Sequence, residues 1–138
     1  MNQRLSCGVV PLRKKNNHWE VLILRCFKNW DFPKGMKDPD ESPISAARRE
    51  FTEETHLKEI LISSPELFID TEPYSNNKVA RYFLGIVVGG DDVKITPNPI
   101  TGVMEHHEFR WVKIKDADDM LVPRLKKVLK WAKENLPE

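Results

Sequence analysis

The chain of 138 residues lacks an excess of either charge, a long apolar run and a cysteine framework. With 22 basic and 21 acidic residues its net charge is +1, so no bulk electrostatic binding to DNA or to a membrane surface is indicated. No apolar run approaches the roughly 20 residues that span a bilayer. The polar start of the chain does not resemble a secretory leader. These features predict a cytoplasmic protein.

Only two cysteines are present, Cys7 and Cys26, and both lie in segments rich in aliphatic residues. They are too few for a disulfide scaffold, so we expect reduced thiols in the core. The length and the 40% apolar content fit one domain, residues 1–138, with a single hydrophobic core. No repeat, linker or low-complexity segment divides it.

Three carboxylates stand at positions i, i+3 and i+4 in the middle of the chain: Glu50, Glu53 and Glu54. On a helix this spacing gathers them within about a third of the circumference. Like charges that close repel each other, so a helix gains no stability from the arrangement. A hard divalent cation removes the repulsion and prefers oxygen ligands. The cluster therefore predicts a cation site, with a solvated acidic helix face as the alternative.

The segment from residue 35 to residue 57 resembles the Nudix box, G-x5-E-x7-R-E-U-x-E-E-x-G-U, where U is apolar. The matching residues are Gly35, Glu41, Arg49, Glu50, Phe51, Glu53, Glu54 and Leu57. One position departs, because His56 replaces the second glycine of the box. That position follows the predicted helix, where glycine usually adopts positive φ, so we expect the change to affect stability more than chemistry.

The Nudix resemblance implies an α/β (α+β) sandwich: a central mixed β-sheet flanked by helices, with the box as a loop–helix–loop. The pattern of elements agrees with it. A helix from Pro43 to about Thr55 and an amphipathic helix near the C-terminus are predicted. Strands are predicted over 5–12, 19–27, 58–62, 66–71, 79–88, 93–96 and 109–114, the first two joined as a hairpin by a polar turn over 13–17.

The resemblance also implies Mg²⁺-dependent hydrolysis of a pyrophosphate bond, with Mn²⁺ as a substitute for Mg²⁺. It assigns Glu50, Glu53 and Glu54 to the metal and to catalysis. Arg49 is implied to hold a carboxylate in place by a bidentate ion pair.

The loop that begins the box supplies further site residues. Gly35 allows its backbone to approach metal or phosphate closely, Lys34 is expected to meet a phosphate, and Glu41 supports the site from outside.

Two downstream features resemble dinucleoside polyphosphate hydrolases within the superfamily. Tyr74 lies 17 residues after Leu57, and Glu105 precedes the strand containing Phe109-Arg-Trp111. Glu105 is implied to be a fourth carboxylate at the metal or a catalytic base. The expected reaction is asymmetric cleavage of diadenosine tetraphosphate to AMP and ATP.

Tyr74 and Tyr82 are predicted to stack on a base, with a half-buried sheet residue as the alternative for each. Lys78 and Arg81 lie between them and are predicted to bind phosphates. The pair His106-His107 has no Cys or His partner at zinc spacing, so zinc is not predicted.

Other substrates stay open at this point, because Pro73 also resembles a position that marks ADP-ribose hydrolases. The alternatives are an RNA 5′ end, a nucleoside triphosphate or ADP-ribose. A non-catalytic nucleotide-binding module would be expected to lack a box carboxylate, and none is missing here.

Overall fold

The structure, a computed structural model, describes residues 4–137. The strands are β1 Arg4–Lys15, β2 His18–Cys26, β3 Asn29–Asp31, β4 Lys34–Met36, β5 Ile60–Ile62, β6 Phe68–Asp70, β7 Lys78–Val87 and β8 Glu108–Lys113. The helices are α1 Pro43–Thr55, α2 Ile114–Asp118 and α3 Pro123–Glu134. In residues 4–137 no helix is long and apolar enough to cross a membrane.

Strand β1 lies at the centre of a mixed sheet. It runs parallel to β7 along one edge and antiparallel to β2 and β4 along the other. Its middle is buried on both faces, as is typical of a strand covered by helices on each side. The predicted mixed α/β architecture is confirmed.

The alternation of side chains along the strands builds two apolar clusters, one on each face of the sheet. On one face, Val9 and Phe83 pack with Phe51 of α1. On the other, Val10 and Leu84 belong to the cluster that buries the apolar side of α3. The sheet therefore holds α1 and α3 on opposite sides.

The hairpin of β1 and β2 turns at Asn16 and Asn17, whose φ angles are 52° and 64°. Two consecutive left-handed residues match the right-handed twist of the flanking strands, and asparagine tolerates that conformation well. Both strands therefore continue to the turn, and the loop is shorter than the predicted 13–17.

Helix α1 has the predicted bounds. The Ser42 hydroxyl accepts a hydrogen bond from the Ser45 N–H at 3.3 Å, and Pro43 occupies the first helical position. At the other end His56 adopts φ 63°, and its N–H donates to the Thr52 carbonyl at 2.8 Å. The His56 side chain is exposed, and its Nε2 lies 2.9 Å from the Thr96 hydroxyl.

The predicted strand over residues 93–96 is wrong. Val93 is buried against the α1 side of the sheet, and the Lys94 N–H donates to the Thr55 carbonyl at 2.9 Å. The segment is thus attached to the end of α1 instead of pairing with a strand, which its apolar pattern alone did not reveal. The short helix α2 was also not predicted.

We predict that His56→Gly raises the free energy of unfolding by up to about 1 kcal/mol, because glycine removes the steric cost of a β-carbon at positive φ. Denaturant unfolding of both proteins measures the difference. His56→Ala is the matched control: it keeps the β-carbon and loses the Thr96 contact, so it should be less stable than the parent. A glycine variant less stable than the parent would show that the Thr96 contact outweighs the backbone cost.

Candidate active site

One cleft of about 850 Å³ collects most of the residues that the sequence singled out. It lies between the box, the turn after β6, and the loop segments around residues 95–100 and 105–106. The predicted site residues that line it are Lys34, Gly35, Arg49, Glu50, Glu53, Glu54, Tyr74, Lys78 and Glu105. Residues separated by more than 70 positions in the sequence therefore share one cavity.

Helix α1 brings two carboxylates into a poorly solvated part of the cleft. Burial raises the pKa of Glu54 well above its usual range, and the charges of Asp31 and Glu50 add to the effect. The Lys34 N–H partly opposes it by donating to Glu54 Oε1 at 3.2 Å. Burial also raises the pKa of Glu50, against a hydrogen bond from Arg49. Both groups therefore lack sufficient positive charge around them.

Arg49 joins the acidic groups of the box. Its guanidinium donates to both carboxylate oxygens of Glu41, at 2.6 and 2.9 Å, in the bidentate geometry of a strong ion pair. It also donates to Glu50 at 2.8 Å, to Glu53 at 3.2 Å and to the Met36 carbonyl at 3.1 Å. The pKa of Glu41 is lowered to about 2 by its hydrogen bond from Arg49. Glu41 does not line the cleft and supports it through Arg49.

Gly35 lies directly under the Glu50 carboxyl group. A β-carbon at position 35 would collide with the carboxyl atoms of Glu50. Glycine lets the backbone of β4 and this side chain come so close, whereas any other residue would require the Glu50 carboxyl group to shift.

The segment before β8 reaches the same acids from another direction. His106 Nε2 lies 3.1 Å from Asp31 Oδ1, and its Nδ1 lies 3.9 Å from Glu54 Oε1. Glu105 accepts a hydrogen bond from the Asn98 side chain at 3.2 Å. Asp31, His106 and Asn98 were not predicted as site residues. Asp31 precedes the box closely enough to have been considered. His106 was considered only as a zinc ligand, and Asn98 gave no signal in the sequence.

The donor chemistry of the cleft fits a hard divalent cation. Within residues 4–137 no three carboxylate, histidine or cysteine side chains already stand as a ligand set. Arg49 hydrogen-bonds to oxygens of Glu50 and Glu53. The oxygens of Glu50, Glu53 and Glu54 and the backbone carbonyl of Gly35, which also lines the cleft, are the kind of ligands that Mg²⁺ or Mn²⁺ prefers. The raised pKa values of Glu50 and Glu54 indicate that added positive charge would stabilise both carboxylates.

Two predicted substrate contacts are corrected by the structure. Tyr82 is fully buried and packs edge-on against Phe32, with ring centroids 5.6 Å apart, so no face is free for a base. Arg81 forms two hydrogen bonds with Asp70, at 2.8 and 3.0 Å, and covers the Phe68 ring. It does not line the cleft, so the structure does not bring it to the site as predicted.

The two predicted lysines line the cleft, whereas the two cysteines differ in their location. Lys34 and Lys78 line the cleft together with Arg4, which was not predicted. Cys7 is a buried core thiol as expected, and burial raises its pKa to about 11. Cys26 is only half-buried and lines the cleft, so the prediction of a core thiol is wrong for it.

Comparison with known proteins gives consistent matches. A family model described as NUDIX domain matches residues 2–132. An asymmetrical bis(5'-nucleosyl)-tetraphosphatase of Caenorhabditis elegans is 29% identical over 118 residues, which cover 81% of this chain and 80% of the relative. An RNA pyrophosphohydrolase of Pelagibacter ubique is 28% identical over 151 aligned positions, covering 98% of this chain and 92% of the relative.

The fold has close counterparts among solved structures. A C. elegans Ap4A hydrolase binary complex superposes with a TM-score of 0.80 at 24% identity, covering 95% of this chain and 96% of that one. This similarity shows the fold. The family match extends over nearly the whole chain and includes the box whose residues meet in the cleft. The protein therefore belongs to the NUDIX domain family and is a Nudix pyrophosphohydrolase.

Proposed function

We propose that this protein hydrolyses diadenosine tetraphosphate asymmetrically, to AMP and ATP, with Mg²⁺ as cofactor and Mn²⁺ as a substitute. One observation carries the proposal: the aromatic ring of Tyr74 lines the same cleft as the box carboxylates. The similarity to asymmetrical tetraphosphatases supports it further. The substrate needs the same combination, because it has bases to stack and a polyphosphate to cleave.

The box residues supply the acidic end of the proposed site. Glu50, Glu53 and Glu54 would hold the cation, which when bound neutralises phosphate charge and lowers the pKa of a water. Arg49 keeps these carboxylates at fixed positions through its shared hydrogen bonds. Because Gly35 has no β-carbon, the Glu50 carboxyl group can lie directly against the β4 backbone.

The substrate-binding end uses cations and one aromatic ring. Lys34, Lys78 and Arg4 line the cleft, where their positive charges would contact phosphate oxygens. Tyr74 stacks on a base and so fixes the distance between the base and the cleaved phosphate. Glu105 lies on the loop opposite α1, where it receives a proton from the attacking water or adds an oxygen ligand.

A second candidate is an RNA 5′-pyrophosphohydrolase, because relatives with that activity are as similar to this chain as the tetraphosphatase. It would use the same carboxylates and the same base site, with a longer chain leaving the cleft. Hydrolysis of a nucleoside triphosphate or of ADP-ribose would use the same carboxylates and the same base site. A non-catalytic nucleotide-binding module is disfavoured by the complete set of box acids.

The products distinguish these substrates. With Mg²⁺ and diadenosine tetraphosphate in ¹⁸O-water, we expect AMP and ATP in equal amounts, with the heavy oxygen in only one of them, as mass spectrometry would record. A parallel panel should contain 5′-triphosphorylated RNA, ATP and ADP-ribose. Two ADP molecules as products, or turnover of another panel member alone, would exclude the proposed reaction.

The roles of the helical acids can be tested by removing charge without changing shape. Glu53→Gln and Glu54→Gln should each lower kcat about a hundredfold or more, as expected for loss of a metal ligand or of the group that orients it. Glu59→Gln, an exposed residue beyond α1, is the matched control and should stay near the parent. Activity of either site variant within a few-fold of the parent would contradict the assignment.

Glu105 lies on a loop, so its loss should not unfold the protein. We predict that Glu105→Gln melts near the parent temperature and binds substrate, while kcat falls about 10²-fold or more if Glu105 is the base. If it is only a ligand, excess Mg²⁺ should restore much of the rate. Steady-state kinetics across a Mg²⁺ series measures both. A parental kcat at ordinary Mg²⁺ would remove Glu105 from the mechanism.

A further inference from the structure

Four arginines in the described part of the chain lie over aromatic rings. The pairs are Arg13 with Trp111, Arg81 with Phe68, Arg110 with Trp30, and Arg124 with Tyr74. The first three arginines also pair with carboxylates: Arg13 with Glu20 and Asp91, Arg81 with Asp70, and Arg110 with Glu108. Within residues 4–137 no carboxylate lies within ion-pair distance of Arg124. Its guanidinium carbon instead lies 4.0 Å from the centroid of the Tyr74 ring.

Arg124 has a buried polar atom without a partner. Within residues 4–137 two buried side-chain polar atoms lack a hydrogen-bond partner, Arg124 Nε and the Tyr82 hydroxyl. Burial raises the pKa of Tyr82, the charge of Asp31 adds to the effect and that of Arg124 opposes it. Unpaired buried polar groups cost free energy, so the unpaired Nε of an arginine that lies over the Tyr74 ring needs an explanation.

The backbone of Tyr74 is held firmly as well. Tyr74 and Lys78 exchange two hydrogen bonds, at 2.9 and 2.8 Å, and close a turn in which Ser75, Asn76 and Asn77 all have positive φ. The turn fixes where the Tyr74 side chain begins, on the same cleft as Lys78. The turn does not itself contact the ring, whereas the Arg124 guanidinium lies 4.0 Å from the ring centroid.

We propose that Arg124, in the first turn of α3, is a positioning residue for base recognition. Its guanidinium lies over the Tyr74 ring, which packs in part against the core cluster on the α3 side and lines the cleft, and it holds the ring in place for a purine bound there. The inference rests on the proposed function, in which Tyr74 is the stacking residue. A planar cation against the ring also draws π-electrons away from the part of the ring that lines the cleft, which reduces their repulsion of the π-electrons of the base.

If Arg124 positions the Tyr74 ring, its loss should weaken the binding of a base and leave the binding of phosphate almost unchanged. Arg124→Ala should weaken binding of AMP about tenfold and change binding of tripolyphosphate, which has no base, by less than twofold. Calorimetric titration in the presence of Mg²⁺ measures both. The KM for diadenosine tetraphosphate should rise about tenfold at nearly parental kcat, the pattern of lost uniform binding. Arg124→Lys keeps the charge without the planar fork and should recover only part of the affinity.

Two controls show whether Arg124 acts through Tyr74. Arg110→Ala removes a comparable arginine over Trp30, outside the cleft, and should leave AMP affinity unchanged. In a Tyr74→Ala background, Arg124→Ala should have no further effect on AMP, because there is no ring left to hold. Tyr74→Phe should bind AMP like the parent, since the ring stacks and the hydroxyl does not.

Several results would overturn the inference. They are equal losses for AMP and tripolyphosphate, additive losses in the Tyr74→Ala background, or unchanged AMP affinity in Arg124→Ala. If Arg124→Ala does not fold, Arg124→Lys and Arg124→Gln retain the side-chain stem, and parental AMP affinity in both would overturn it too. Failure of the parent to cleave diadenosine tetraphosphate would sink the proposed substrate alone, because the binding comparison does not depend on turnover.

Discussion

The active site depends on the guanidinium of Arg49. Three glutamates contact this one group, and two of them, Glu50 and Glu53, belong to the cluster that should otherwise repel. The planar fork satisfies several oxygens at once, which a lysine cannot do with the same geometry. Arg49 therefore lets α1 carry its acids toward one cleft before any cation is bound.

The central strand β1 pairs with the strands that carry the other parts of the site. β4 pairs with the start of β1 and carries Gly35 against Glu50, while β7 pairs with the other edge and leads back to Tyr74 and Lys78. The loop before β8 places Glu105 and His106 above the same carboxylates. One strand thus aligns the acidic, basic and aromatic parts of the cleft, with α3 supplying Arg124 behind Tyr74.

The two tyrosines show what a sequence pattern can and cannot predict about a side chain. Both Tyr74 and Tyr82 were predicted to stack on a base, although only Tyr74 lies at a position that resembles the dinucleoside polyphosphate hydrolases. Tyr82 lies on the strand face that α3 covers, and it is fully buried. The period-2 pattern indicates that a face is covered, but it does not say which position along the strand lies beneath the helix. Likewise Arg81 was predicted to bind phosphate because it lies between the two tyrosines, yet it forms an ion pair with Asp70 of the neighbouring strand.

The sequence by itself determined the box, the bounds of α1, the mixed α/β architecture and the family. These depend on local spacing, capping and a long motif, which hold wherever the segment lies in space. Only the tertiary structure decided that Tyr74 lines the cleft while Tyr82 is buried, that Asp31 and His106 line the cleft too, and that Arg124 lies over the Tyr74 ring. Those contacts join residues far apart along the chain, such as Tyr74 and Arg124, and depend on how strands pair and helices cover them. No local sequence pattern predicts such long-range contacts.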